Sequence, residues 1–274
     1  MSLFFASLNS GSNGNCYYVG NENEAVLIDA GISCKETEKR MVTLGLSLKK
    51  VKGIFVSHEH IDHVKGIEVI CQKHNIPVYI NEKTLKGGSH FISKSTVNIF
   101  TSGDIIKVGE LLIHSFSKMH DAAEPVSFAI EHKGLRVGVM TDIGTVCENV
   151  INHFKLCDAV ILESNYDADM LEKGKYPYLL KKRISGEHGH LSNDQAFDLY
   201  TNHRSERLLH LMLGHLSQEN NDPSIVKQLF QQHDARVAIS VASRHKPTGV
   251  FSIGIDPNKK AAPTSVMQLD IFSR

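Results

Sequence analysis

The feature that most constrains this chain is a run of six residues, HEHIDH at positions 58 to 63, which begins where the apolar stretch GIFVS stops. Side chains alternate between faces along an extended segment, so His58 and His60 point the same way. Asp62 and His63 then open a helical stretch that Gly66 and an apolar run continue. Four metal-binding side chains in six residues, leaving a strand end for a helix start, can surround cations without disturbing the packing of a core. Imidazole nitrogen suits zinc and equally manganese or iron, whereas carboxylate oxygen favours harder cations, so the donor set admits more than one metal. Histidine occurs 16 times in a chain without tryptophan, which prompts a search for further ligands.

The rest of the sequence narrows the setting. At 274 residues and 41% hydrophobic, the chain can bury a full core and is read as one domain over 1–274, with a peripheral tail from about residue 256. Lys plus Arg equals Asp plus Glu at 30 each, so no global field favours nucleic acid or an anionic membrane, and contact with either needs a local patch. The five cysteines are scattered without CxxC spacing, which argues against a disulfide framework or a thiolate zinc site and for a reducing cytoplasm. The opening MSLFFASLNSGSNGNCYYV lacks a basic region and meets Asn9, Gly11 and Gly14 early, a poor signal peptide. No apolar run approaches the roughly 20 residues that a membrane span needs. The sequence leaves the oligomeric state open, a homodimer included.

Short β-rich runs at Leu3 to Leu8, Cys16 to Val19 and Ala25 to Ile28 are followed by a helical pattern at Cys34 to Leu44, and from Gly53 strands and helices alternate. β runs return at Leu111 to Phe116, Val126 to Glu131 and Leu135 to Met140. Further strands follow at Ala159 to Leu162, Leu208 to Leu213 and Val237 to Val241, with helices over Tyr176 to Arg183, Asn193 to Tyr200 and Pro223 to Gln232. Two β-rich blocks with accompanying helices predict two sheets packed face to face with helices outside.

HEHIDH resembles the HxHxDH signature of the metallo-β-lactamase superfamily. The resemblance implies an α/β fold, the four-layer αββα sandwich, with a two-metal site at one sheet edge. By it, His120 in SKMHDAAEP, Asp142 in VGVMTDIG and His215 in LMLGHLSQENN complete the ligand set, each after a predicted strand. His58, His60, His120 and Asp142 would hold one divalent cation and Asp62, His63, Asp142 and His215 the other, the pair being zinc or manganese, with iron also admitted. Such a pair lowers the pKa of a water between the cations and offsets charge on the attacked centre. Asp62 is a candidate base to orient that water. No GxSxG or Ser-His-Asp arrangement competes.

More of the chain is similar to one branch of the superfamily. SGSNGNCYY, HDAAEPVSF, TDIG, ESNYDADML, KGKYPYLLKKRISGEHGHLSN and GHLSQENN occur in the order seen in the YycJ (WalJ) family of bacterial proteins, related to RNase Z and to PhnP-type phosphodiesterases. That resemblance runs over most of residues 2 to 250 and implies phosphodiester hydrolysis, with DNA as substrate in a five-prime to three-prime exonuclease reaction. His190 is then the candidate to protonate the leaving alkoxide or bind the scissile phosphate. Asn13, Asn15, Lys182, Arg183, His188 and Ser192 are the candidate substrate-binding residues, and Glu163 and Asn165 are candidate supports behind the metal ligands. The HxHxDH core alone also permits a glyoxalase II-like thioesterase or lactonase, or a phosphodiesterase acting on small molecules, and a regulatory protein with a vestigial site is the non-enzymatic alternative.

Overall fold

The computed structural model describes residues 2–88, 92, 97–231 and 233–254, and the backbone of 255 and 263–269. Six strands open the chain: β1 (Ser2–Asn9), β2 (Cys16–Gly20), β3 (Ala25–Ile28), β4 (Val51–Phe55), β5 (Val78–Ile80) and β6 (Val97–Ile99). Seven more follow, β7 (Ile105–Val108), β8 (Leu111–Ser117), β9 (Val126–His132), β10 (Leu135–Met140), β11 (Ala159–Glu163), β12 (His210–Gly214) and β13 (Ala238–Val241), and the chain returns through β14 (Val250–Ile255) and β15 (Pro263–Leu269). The helices are α1 (Cys34–Thr43), α2 (Ile61–Val64), α3 (Ile67–His74), α4 (Glu82–Gly87), α5 (Glu148–Phe154), α6 (Ala168–Lys173), α7 (Tyr178–Ile184), α8 (Asn193–His203) and α9 (Pro223–Gln231).

The strands make two sheets, ordered β15-β14-β1-β2-β3-β4-β5-β6 and β13-β12-β11-β10-β9-β8-β7. Each combines an antiparallel meander with a parallel run, β3 to β6 in the first and β10 to β13 in the second. The period-two alternation of each strand decides the layers. Leu3 and Phe5 of β1 join Phe128, Ile130, Val137 and Ile161 of the other sheet in a core between the sheets. Ala6 and Leu8, from the opposite face of β1, pack with Met41 and Ile70 of the outer helices α1 and α3. Val160 and Leu162 of β11 face outward onto Phe154, Leu199 and Phe230 of α5, α8 and α9. Helix, sheet, sheet, helix is therefore the layer order. Phe128 marks the centre of the inner core, its ring edge-on to Phe55 and Phe100 at 5.7 and 5.8 Å. Burying a side chain of that size stabilises by about 2–3 kcal/mol.

The tail departs from the sequence reading. The segment expected to be peripheral from about residue 256 includes β15, which pairs antiparallel with β14 and forms the edge of the first sheet. The other residues of that tail, 256–262 and 270–274, lie outside the described residues, as does Gln232 at the predicted end of α9. Helix α7 begins two residues later than the pattern suggests because Pro177 takes the N-cap position. All five cysteines are free thiols. Among the described residues no helix is long and apolar enough to cross a membrane.

Candidate metal centre

The C-terminal ends of the parallel strands of both sheets meet at one edge of the sandwich, which is where open α/β sheets assemble sites. From the first sheet come Asp29, just after β3, and Ser57 to His63, between β4 and α2. From the second come Asp142 after β10, Glu163 ending β11 and His215 after β12, joined by His120 from the connection between β8 and β9. Asp29, Asp142 and His215 all adopt left-handed backbone conformations, with φ of 59°, 57° and 54°. Non-glycine residues held there cost about 1–3 kcal/mol each and persist where surrounding structure imposes them.

Asp29 organises the first-sheet side. One carboxylate oxygen accepts the Ser57 N–H at 2.8 Å, and the other accepts both the Ser57 hydroxyl and His63 Nδ1, each at 2.8 Å. His63 Nε2 is thereby turned inward, 3.4 Å from Asp142 Oδ2 and 3.5 Å from Asp62 Oδ2. Asn15 closes over the same ligands, its Nδ2 donating to Asp62 Oδ2 at 3.2 Å and lying 3.0 Å from His63 Nε2. This approach requires Gly31, whose backbone runs so close to Asp62 that an added Cβ would fall 1.6 Å from the Asp62 carbonyl oxygen.

The second-sheet side rests on buried Glu163. Its Oε1 accepts Nδ1–H of His190 at 2.8 Å and of His215 at 2.9 Å, and its Oε2 accepts the backbone N–H of Ile143 and Leu191 at 2.7 and 3.2 Å. His120 Nδ1 donates to the Gly189 carbonyl at 3.0 Å. Each of these histidines is thus fixed through Nδ1, leaving Nε2 for the centre, the usual arrangement behind a metal ligand.

The resulting donors form overlapping groups whose atoms lie within 4.8 Å of one another: His58, His60 and His120; His58, His63 and Asp142; Asp62, His63 and His215. That spacing is on the scale of two coordination bonds of about 2.1 Å each. His120 Nε2, Asp142 Oδ2 and His215 Nε2 are buried with no hydrogen-bond partner. Unmade bonds of this kind cost about 1–3 kcal/mol per group, and divalent cations would satisfy all three. The residues present therefore fit the metals that the sequence motif implies.

The charge state fits as well. Burial disfavours the charge on Asp142, but His215, His63 and the Lys118 ammonium hold its carboxyl well below the usual range. Burial likewise opposes a proton on His63, yet Asp142, Asp29 and Asp62 together raise its pKa well above the ordinary value. The buried carboxylates thus favour a proton on His63, whereas burial disfavours one on His58 and His120. His190 is also raised: Glu163 and Asp142 outweigh the cost of burial.

All seven ligand candidates of the sequence reading come together here, with Asp62 and His190 facing a cleft of about 310 Å³. The substrate-binding candidates are dispersed. Arg183 lines the cleft, but its guanidinium is bound to Asp121 at 2.6 and 2.7 Å. Asn15 wraps ligands rather than facing the cleft, and Asn13 donates to the Arg244 carbonyl at 3.0 Å. Ser192 caps α8 in a capping box with Gln195, while Lys182 and His188 are exposed and do not line the cleft. Asp29, Asp121 and Lys118 are absent from the sequence reading. Only Asp29 carries a readable signal, AVLIDAG, which like VGVMTDIG places an aspartate at a strand end two residues before a glycine.

The fold and site define a metallo-β-lactamase-type hydrolase, and the chain belongs to the β-lactamase superfamily, residues 24–211 matching the family model described as "Beta-lactamase superfamily domain". It is 37% identical over 253 residues to exodeoxyribonuclease YycJ of Bacillus anthracis, covering 91% of this chain and 92% of the relative. It is 32% identical over 222 residues to exodeoxyribonuclease WalJ of Streptococcus pneumoniae, covering 79% and 82%. Among solved structures, the metallo-β-lactamase fold protein YhfI of Bacillus subtilis superposes with a TM-score of 0.71 at 15% identity, over 92% of this chain and 99% of that one.

Proposed function

We propose that this chain, as one domain over 1–274 in the cytoplasm, is a metal-dependent phosphodiesterase that degrades DNA from the five-prime end. The observation that carries the reading is the convergence of His58, His60, Asp62, His63, His120, Asp142 and His215 beside a histidine fixed by a carboxylate, His190 on Glu163. The extended similarity to YycJ and WalJ supports DNA as the substrate. His58, His60, His120 and Asp142 would hold one cation and Asp62, His63, Asp142 and His215 the second, zinc or manganese. When bound, the pair supplies an activated water and offsets the charge of the phosphate under attack.

The chain's own residues do the remainder. Asp62, 19% exposed at its side chain, lines the cleft together with Asp121 and Asp142 and orients the attacking water. His190, whose proton Glu163 favours and which lies beside the cleft, donates a proton to the leaving alkoxide. Asp142 and His215 are held in left-handed backbone conformations by the structure around them, so little reorganisation accompanies the reaction.

Cleavage of end-labelled double-stranded DNA with Mn²⁺, Zn²⁺ or no metal, beside Asp62→Ala, tests this directly. Metal-dependent release of mononucleotides from the five-prime end, abolished in the variant, is expected. Failure to cleave DNA and bis(p-nitrophenyl) phosphate in the presence of bound metal, with hydrolysis of a glutathione thioester, would replace it.

A further inference from the structure

Arginines in this protein are almost all neutralised. Arg40, Arg136, Arg183, Arg204, Arg207 and Arg236 each contact a carboxylate, and among the described residues Arg244 alone forms no ion pair. It is nevertheless half-buried, and that burial lowers its pKa. Its guanidinium is held by two neutral acceptors, Ser12 Oγ at 3.0 Å and Gln218 Oε1. Gly11, at φ 137°, lets the β1–β2 loop lie flat against it: a Cβ there would stand 2.9 Å from Arg244 Nη2. A guanidinium has five N–H donors in a planar fork, and this one, partly buried and with the carboxylate of Glu219 acting on it only from beyond ion-pair distance, keeps donors for an anion that arrives.

Its position says which anion. Arg244 lines a cavity of about 350 Å³ that shares Leu216 and Ser217 with the metal cleft, and its partner Ser12 lines the metal cleft itself. We propose that Arg244, with Ser12 and Ser217, forms a subsite for a phosphate of the substrate strand other than the scissile one. The proposal rests on the phosphodiesterase reading. Because backbone phosphates position a strand without reporting its sequence, such a subsite sets register relative to the metals and favours nucleic acid over phosphodiesters with a single phosphate.

The test compares wild type with Arg244→Gln and Arg244→Lys. Binding of a fluorescein-labelled single-stranded oligonucleotide is followed by anisotropy in EDTA over a salt series, and turnover of the same oligonucleotide and of bis(p-nitrophenyl) phosphate is measured with Mn²⁺. Arg244→Gln should weaken binding at least tenfold, flatten the log–log salt dependence by about one unit, and lower kcat/KM for the oligonucleotide at least tenfold more than for bis(p-nitrophenyl) phosphate. Arg244→Lys should recover part of each loss. Five-prime phosphorylated and five-prime hydroxyl oligonucleotides separate the sources: a penalty lost with the hydroxyl end assigns the terminal phosphate, and one retained assigns an internal phosphate. Unchanged oligonucleotide binding, or equal losses on both substrates, would overturn the subsite. If wild type hydrolyses neither substrate, the phosphodiesterase reading fails while the binding comparison still decides the subsite.

Discussion

Glu163 Oε1 accepts a 2.8 Å hydrogen bond from His190 Nδ1, and the same oxygen accepts from His215 at 2.9 Å. One buried carboxylate therefore orients both the candidate proton donor and a candidate metal ligand. Replacing it with glutamine keeps the shape but removes the charge and leaves only one acceptor oxygen for four donors. Glu163→Gln is expected to lower both metal affinity and kcat by roughly 10- to 100-fold. Metal content after dialysis and turnover under saturating Mn²⁺ check the two losses separately. Wild-type values for both would show that Glu163 positions neither histidine.

His190 itself is separable from the metal ligands by choice of leaving group. A deoxyribose alkoxide needs a proton to depart, whereas p-nitrophenolate leaves without one. General acid catalysis contributes about 10²- to 10⁴-fold, so His190→Ala should fall by that order on DNA and by far less on bis(p-nitrophenyl) phosphate. Equal losses on both substrates would assign His190 to phosphate binding instead.

Asp29 ties the ends of β3 and β4 to His63 through Ser57 N–H, Ser57 Oγ and His63 Nδ1. Asp29→Ala removes the acceptor that sets the His63 tautomer, so it should weaken retention of metal by about 10- to 100-fold. Chelator competition followed by elemental analysis reads this out. A variant that is folded and retains metal as wild type does would refute the assignment.

How far the sequence reached is seen in which side chains it placed. The candidate ligands His58, His60, Asp62 and His63 fall within six residues and follow a strand, so the alternation of an extended segment suffices to aim the first two. His120, Asp142 and His215 needed the family resemblance, since nothing local joins the ends of β8, β10 and β12. Asn15, expected to bind substrate, turns inward instead, a direction that depends on the close passage of Gly31 by Asp62 and that no local pattern shows. Ser192 reads equally well as a phosphate ligand or a helix cap, and the capping box with Gln195 decides for the cap. Arg183 is compensated by Asp121, 62 positions away, a pairing that no pattern along the chain reveals. Likewise β15, PTSVMQL, joins a sheet whose other strands lie mostly before residue 100, which makes it look like a tail until β14 is paired with β1.

Metal should stabilise the fold as well as serve the reaction. His120 Nε2, Asp142 Oδ2 and His215 Nε2 are buried without partners, and Asp142 and His215 hold strained backbones. A ligand at 100 times its Kd stabilises by about 2.7 kcal/mol per site. Thermal unfolding in Mn²⁺ or Zn²⁺ should therefore occur several degrees above that in EDTA, and Asp62→Ala should show a smaller rise. No shift on metal addition would count against a preformed site.

Stability also carries a pH dependence away from the metals. His210 is buried beside Phe5 and Phe251, with ring centroids 5.3 and 4.3 Å away, and its Nε2 lies 2.7 Å from Ser240 Oγ. Burial pushes its pKa down from 6.5 to about 4. Between those values the unfolded chain binds a proton that the folded chain refuses, so this contribution is complete above pH 6.5 and is lost as pH falls toward 4. At pH 5.5 the loss is about 1 kcal/mol. His210→Leu keeps an apolar side chain of similar reach and removes the titration, so between pH 7.5 and 5.5 its stability to urea should fall by about 1 kcal/mol less than that of wild type. Other titrating groups act equally on both proteins and cancel in the comparison. Equal losses would mean that the imidazole is already protonated in the folded state at pH 5.5.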